Sequence, residues 1–77
     1  MSEPRVRVFV NAEFVDVDRG ATALECVRAW RGSEAEDVAS GKRRITDSRG
    51  LAIALTSAAQ AGSIYRTVSS RGQERDE

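Results

Sequence analysis

Histidine is absent from this chain of 77 residues, and cysteine occurs only once, at Cys26. A single thiol cannot form an internal disulfide. Without histidine, the chain cannot build a Cys/His zinc site, a Cys–His nucleophile or a Ser–His–Asp triad. Because the thiol has no histidine as an activating base, we expect Cys26 to be a small buried hydrophobe. The sequence therefore predicts a protein that is not an enzyme and that uses no metal or cofactor.

An excess of one charge sign and long apolar runs are also missing. Twelve basic and twelve acidic residues give a formal net charge of +0, so composition does not point to a nucleic acid as the partner. No stretch approaches the ~20 apolar residues of a membrane span. The N-terminal segment MSEPRVRV also lacks the apolar run of a signal peptide. We therefore expect a cytoplasmic monomer with no membrane association.

The length and composition are those of one small globular domain. Apolar residues make up 40% of the chain and charged residues 31%, and 77 residues leave little room for a catalytic pocket behind a core. We predict a flexible N-terminus over residues 1–4 and a folded domain over residues 5–69. Residues 70–77, SRGQERDE, contain no apolar side chain, and we predict a disordered tail there.

Two neighbouring segments with alternating hydrophobicity, RVRVFV (residues 5–10) and EFVDVD (residues 13–18), predict a β-hairpin. A two-residue loop at Asn11 and Ala12 pairs apolar with apolar residues and Arg with Asp, whereas a three-residue loop would oppose valines to aspartates. A four-residue loop with the same register remains open. The buried face then carries Val6, Val8, Val15 and Val17, and the outer face carries Arg5, Arg7, Asp16, Asp18, Phe9 and Phe14.

The aromatic pair on the outer face is the first candidate site. Phe9 and Phe14 lie among charged residues, where they either rest under a loop or tail or offer an apolar patch to a partner protein. We predict a protein-binding site on this face, formed by Phe9, Phe14, Arg7 and Tyr65.

Two helical segments are predicted after the hairpin. Thr22 and Glu25 have the spacing of a capping box, which predicts a helix from Ala23 that ends at Gly32 and covers the valine face. The same spacing from Ser33 predicts a second helix over residues 34–39 that stops before the glycine at position 41. Because this second helix has few apolar residues, we expect it to lie outside the core.

The remaining strands are shorter. The sequence predicts a strand over residues 43–47 and a turn over residues 47–50, followed by a strand over residues 51–55 and a last strand over residues 63–69. The phase of the last strand is open, because Ile64 and Val68 share one face with Arg66 while Tyr65 and Thr67 share the other.

The order of elements resembles a known family, the ThiS/MoaD-like sulfur carriers. The segment VFVNAEFVDVDRGATALECVRAW is similar to their opening hairpin, turn and helix, and AGSIYRTVS is similar to their closing strand. The resemblance implies an α+β fold of β-grasp (ubiquitin-like) type, with a mixed four- to five-stranded sheet and one main helix on one face. It also implies that the first and last strands are parallel neighbours at the centre of the sheet.

The chemistry of that family belongs to a C-terminal Gly-Gly, whose carboxylate an adenylyltransferase-type enzyme activates. This chain has a single glycine at that place, Gly72, followed by five further residues. We therefore expect a non-catalytic ubiquitin-like module that binds a protein through the exposed sheet face. The alternative is a sulfur carrier or protein modifier activated at Gly72 after removal of the last five residues. A minor alternative is nucleic-acid binding through Lys42, Arg43 and Arg44.

Overall fold

The computed structural model describes residues 5–69, which contain four strands and two helices. In chain order they are β1 (Arg5–Val10), β2 (Glu13–Asp18), α1 (Ala23–Trp30), α2 (Gly32–Ser40), β3 (Arg43–Thr46) and β4 (Ile64–Ser69). The strands form one sheet in the order β2-β1-β4-β3. The predictions for residues 1–4 and 70–77 lie outside the described residues.

The sheet is mixed, and its first and last strands are neighbours. β1 is antiparallel to β2 and parallel to β4, while β3 is antiparallel to β4. This confirms the α+β class, the mixed sheet and the central pairing of the first and last strands. Neither helix among the described residues is long and apolar enough to cross a bilayer.

The β1–β2 hairpin has the register that the hydrophobic pattern predicts. Val10 pairs with Glu13 and Phe9 with Phe14, so the loop consists of Asn11 and Ala12. Both loop residues have positive φ, 52° and 73°, as a type I′ turn requires. Asparagine tolerates this conformation well, whereas alanine brings its Cβ close to a neighbouring carbonyl oxygen. The turn therefore stores strain at Ala12.

Replacing Ala12 with glycine is expected to raise the free energy of unfolding by roughly 0.5–1 kcal/mol. Glycine removes the steric cost of positive φ, and the greater freedom of the unfolded chain offsets only part of that gain. The control is Ala29→Gly at an exposed position of α1, which should lower the free energy of unfolding by about 1 kcal/mol. Urea denaturation followed by circular dichroism measures both values. A loss of stability in both variants would contradict the assigned turn.

Helix α1 begins as its capping box predicts and covers the inner face of the sheet. The Thr22 side chain accepts a hydrogen bond from the Glu25 N–H (3.2 Å), and the Glu25 carboxylate accepts one from the Thr22 N–H (3.0 Å). Ala23, Cys26 and Val27 are buried, and they pack in one cluster with the valines of the hairpin. Trp30 is only partly buried, at the edge of this cluster.

The boundary between the two helices differs from the prediction. Arg31, in an extended conformation, separates them, and Gly32 is the first residue of α2 rather than the end point of α1. Ser33 therefore lies inside α2 and is not its cap. The predicted end of α2 is confirmed, since Gly41 closes the helix in the left-handed conformation with φ 93°.

Helix α2 belongs to the core, so the expectation of one core helix with a satellite was wrong. Ala35 and Val38 are buried in the same cluster as the residues of α1. Only one residue separates the two helices, and α2 packs against α1. Its two buried apolar side chains pack in the cluster that α1 shares with the sheet. A short apolar stripe is therefore sufficient when its residues are small.

The strand predicted over residues 51–55 does not form. Only a single bridge joins Ala52 to Thr46, and Leu51 is exposed. The chain instead leaves β3 and runs to the start of α1, where the N–H of Leu24 donates to the carbonyl oxygen of Leu55 (3.2 Å). The Ala23 N–H likewise donates to the carbonyl of residue 57 (2.9 Å). These bonds satisfy N–H groups that the first turn of a helix leaves unpaired, which explains why the segment departs from the sheet.

The turn before this segment forms as predicted. The Asp47 carboxylate accepts hydrogen bonds from the N–H groups of Arg49 (2.8 Å) and Leu51 (3.0 Å). These bonds, with that of Leu51 first in importance, lower the pKa of the Asp47 carboxyl. The aspartate thus fixes the turn that follows β3.

Candidate functional site on the outer sheet face

Three exposed apolar side chains form a row across the sheet on the face opposite the helices. Phe9 in β1 lies between Phe14 in β2 and Ile64 in β4, because it pairs with both of them in register. Their exposed fractions are 36%, 57% and 46%. Since neighbouring strands are ~4.8 Å apart, this apolar row is roughly 10 Å long. We call Phe14, Phe9 and Ile64 the apolar row.

The backbone hydrogen bonds explain why the two phenylalanines lie close together. The Phe9 N–H donates to the carbonyl oxygen of Ser63 on the β4 side (2.9 Å), so it is not directed at β2. Phe9 and Phe14 therefore form a non-hydrogen-bonded pair, the type in which opposite side chains approach most closely. The row is a continuous apolar strip.

An arginine covers one end of the apolar row. The Arg7 guanidinium carbon lies 4.2 Å from the centre of the Phe14 ring, and its Nε donates to Asp16 Oδ1 at 3.0 Å. This hydrogen bond lowers the pKa of the Asp16 carboxyl and raises that of the Arg7 guanidinium. Both groups are exposed, so the pair orients Arg7 over the ring more than it stabilises the fold.

An open groove adjoins the other side of the row. Its volume is about 610 Å³, which falls within the range of small-ligand and side-chain binding sites. Phe9 and Ile64 form its apolar walls, and Arg66 lies at its border. The remaining lining residues are Asn11, Ala12 and Ser48.

Tyr65 does not belong to this face, so its assignment to the outer-face site was wrong. The side chain is 4% exposed and packs in the core cluster, and burial raises the pKa of its phenol. The open phase of β4 is thereby settled, with Tyr65 on the inner face and Ile64 and Arg66 on the outer one. Ile64 is the site residue that sequence reasoning missed. The signal that could have identified it is Arg66, because a charged side chain is placed more easily on the exposed face.

Gly72, the possible carrier terminus, lies outside the described residues. The basic segment suggested for nucleic-acid binding is partly neutralised within the domain, since Arg43 Nε lies 3.0 Å from Glu34 Oε2. A nucleic acid at this segment would compete with Glu34 for Arg43. Nucleic-acid binding there stays a prediction, which a salt-dependent affinity for RNA would test.

Cys26 is fully buried, as the sequence predicts for a small hydrophobe. Burial in apolar surroundings, with a smaller contribution from the nearby Glu25 carboxylate, raises the pKa of its thiol from 9.0 to about 11. Within residues 5–69 no three His, Cys, Asp or Glu side chains are grouped as a metal ion would need. The described part of the chain therefore presents no activated thiol at neutral pH.

Alkylation of Cys26 by iodoacetamide at pH 8 is expected to be at least about a hundredfold slower in the native protein than in urea. A pKa raised by two units lowers the thiolate fraction about a hundredfold, and burial restricts access further. Mass spectrometry of timed samples gives the two rates, and glutathione in the same buffers corrects for the effect of urea on the reagent. Similar rates in both solvents would contradict the buried placement.

Comparisons with protein-family models, with curated proteins and with solved structures gave no match for this chain.

Proposed function

We propose that this chain is a non-catalytic protein-interaction module of β-grasp (ubiquitin-like), ThiS/MoaD-like type, and that it binds a partner protein through the outer face of its sheet. The observation that carries the proposal is the apolar row, with three large apolar side chains side by side on three adjacent strands. The parallel pairing of the first and last strands supports the fold assignment.

The side chains of the apolar row lie outside the core, so core packing does not explain why they are apolar. The core lies on the other face, where the inward side chains of β1 are fully or almost fully buried under the helices. Contiguous apolar patches on the surface of a small soluble protein are typical of interaction sites, and aromatic residues are enriched at the centres of interfaces. Arg7, held over Phe14 by Asp16, adds a residue type that is frequent among interface hot spots.

Replacing Phe14 with serine is expected to abolish capture of the partner while leaving the fold intact. Phe14 is 57% exposed, so little core packing is lost, whereas removal of a hot-spot aromatic from an interface weakens binding by at least ~2 kcal/mol, roughly 30-fold. The experiment is affinity capture from a lysate of the native host with quantitative mass spectrometry. Circular dichroism verifies the fold of each variant.

The matched control for this experiment is Leu51→Ser. Leu51 has the same exposed fraction as Phe14 but is not part of the apolar row. Proteins captured by the wild-type chain and the Leu51 variant but lost from the Phe14 variant are the expected partners. If both variants capture the same proteins as the wild type, the outer face is not the binding surface.

A carrier function remains the second proposal, and the topology supplies its support. β4 is the last strand of the described residues, and it lies beside β1 inside the sheet, so the chain continues toward Gly72 from a central strand rather than an edge. Intact-mass measurement of the protein from its native host tests this proposal. A species that ends at Gly72, or one with the mass increase of an oxygen-to-sulfur exchange, supports it. A full-length chain as the sole species contradicts it.

A further inference from the structure

Arg66, in the central strand β4, has no carboxylate partner among the described residues, whereas two arginines of β1 on the same face of the sheet are paired. Arg5 pairs with Asp18 and Arg7 with Asp16 on the same face. Within residues 5–69, no carboxylate oxygen lies within 4.0 Å of the Arg66 guanidinium. The side chain is exposed at the border of the groove beside Ile64. The groove therefore has a cation that no described acidic residue neutralises.

The rest of the groove lining offers no acidic group, and its polar side chains are those of Asn11 and Ser48. None of the six lining residues is Asp or Glu, so the formal charge of the lining is that of Arg66 alone. The amide of Asn11 is already engaged, since its Nδ2 donates to Thr67 Oγ1 (2.9 Å) and its Oδ1 accepts from the Thr67 N–H (3.1 Å). The groove thus combines apolar walls with one cationic group at its border.

We propose that the groove binds a partner segment in which an apolar side chain is accompanied by a carboxylate, with Arg66 as the residue that selects the carboxylate. The inference rests on the proposed function and specifies its partner chemistry. The apolar group packs between Phe9 and Ile64, and the carboxylate accepts hydrogen bonds from the Arg66 guanidinium, whose planar fork matches it. The chain's own residues 70–77 carry acidic groups but no apolar side chain, so they match only half of this chemistry.

The test uses two small probes of nearly the same shape, of which only one carries a negative charge. N-acetyl-phenylalanine carries a carboxylate, and N-acetyl-phenylalaninamide replaces it with a neutral amide. Each is titrated into the full-length ¹⁵N-labelled chain, and the backbone amide shifts of Phe9, Ile64 and Arg66 are followed by NMR. The acid is expected to bind roughly threefold to tenfold more tightly than the amide, because the charge-assisted pair is largely exposed.

Two variants separate the role of Arg66 from that of the surface. Arg66→Gln should bring the ratio of acid to amide affinity close to one while retaining binding of the amide. Ile64→Ser should weaken both probes equally. An unchanged ratio in Arg66→Gln overturns the selectivity of Arg66 and leaves the proposed surface intact, whereas unchanged affinities in Ile64→Ser contradict the surface itself.

Three further outcomes would overturn the inference, and two of them identify a different occupant of the groove. Absence of shifts at the groove for both probes overturns the inference. A dimer in sedimentation equilibrium that Ile64→Ser dissociates makes a second copy of the chain the occupant. Shifts of the groove amides on removal of residues 73–77, without any probe, make the chain's own C-terminal segment the occupant. Either of the last two results also overturns the inference.

Discussion

Replacing Tyr65 with alanine is expected to lower the free energy of unfolding by roughly 3–5 kcal/mol, because the change removes a large aromatic group from a packed site and leaves a cavity. Tyr65 is 4% exposed and contacts the core cluster formed by both helices and the sheet. Truncating a side chain at such a site removes the burial of the ring and the contacts that neighbouring side chains make with it. The variant should therefore unfold at a much lower urea concentration, or remain unfolded in buffer.

The neighbouring residue is the matched control for this prediction. Ile64 precedes Tyr65 in β4 and lies on the opposite face, 46% exposed. Ile64→Ala should lower the free energy of unfolding by less than about 1.5 kcal/mol, since only part of its surface is buried. Equilibrium urea denaturation followed by circular dichroism gives both values. A stable Tyr65→Ala variant that has lost partner binding would return Tyr65 to the outer face and reverse the assigned phase of β4.

Truncation of Ile45 is expected to cause the second largest loss of stability. Ile45 is among the largest fully buried side chains, at the centre of β3, and Ile45→Ala is expected to cost roughly 2–5 kcal/mol. A domain of 77 residues has a total stability on the order of 4–12 kcal/mol, so this loss removes a substantial part of it. Thermal and urea denaturation of the purified variant measure the change.

Two further substitutions test whether the loss of stability is specific to removal of the buried Ile45 side chain. Ile45→Val keeps most of the side chain and should cost only roughly 0.5–1.5 kcal/mol. Leu51→Ala, at a residue that is 57% exposed, should change the free energy of unfolding by less than about 1 kcal/mol. If Leu51→Ala were as destabilising as Ile45→Ala, residues 51–55 would pack as the fifth strand that the sequence pattern suggests.

About half of the candidate site could be predicted from the sequence. Phe9, Phe14 and Arg7 were placed correctly on the outer face, because alternation within the hairpin assigns each residue to a face once the register is known. The sequence leaves the phase of β4 open, because the strand offers two apolar phases of similar quality, and the assignment of Tyr65 to the site was wrong. The pairing partner of this strand, β1, is distant in sequence, so no local pattern decides between the phases.

The fold, like the site, could be predicted only in part. The mixed sheet and the parallel pairing of the first and last strands were expected from the resemblance to the ThiS/MoaD-like family, and both are present. The core position of α2 does not, since its two buried residues, Ala35 and Val38, are a weak helical stripe by themselves. The path of residues 51–55 depends on otherwise unpaired N–H groups at the start of α1, such as that of Leu24, which bonds to Leu55 31 positions later in the chain.

The sequence by itself determined the hairpin register, the start of α1 at its capping box, the end of α2 at Gly41 and the burial of Cys26. The first three features depend on side-chain alternation or on residues within one helical turn, so neighbours in the chain suffice to specify them. The burial of Cys26 was expected because the chain has no histidine to activate its thiol. Only the tertiary structure decided which face of β4 is buried, and with it the apolar row and its groove. That choice depends on which elements cover each side of the sheet, and such contacts join residues far apart in the chain.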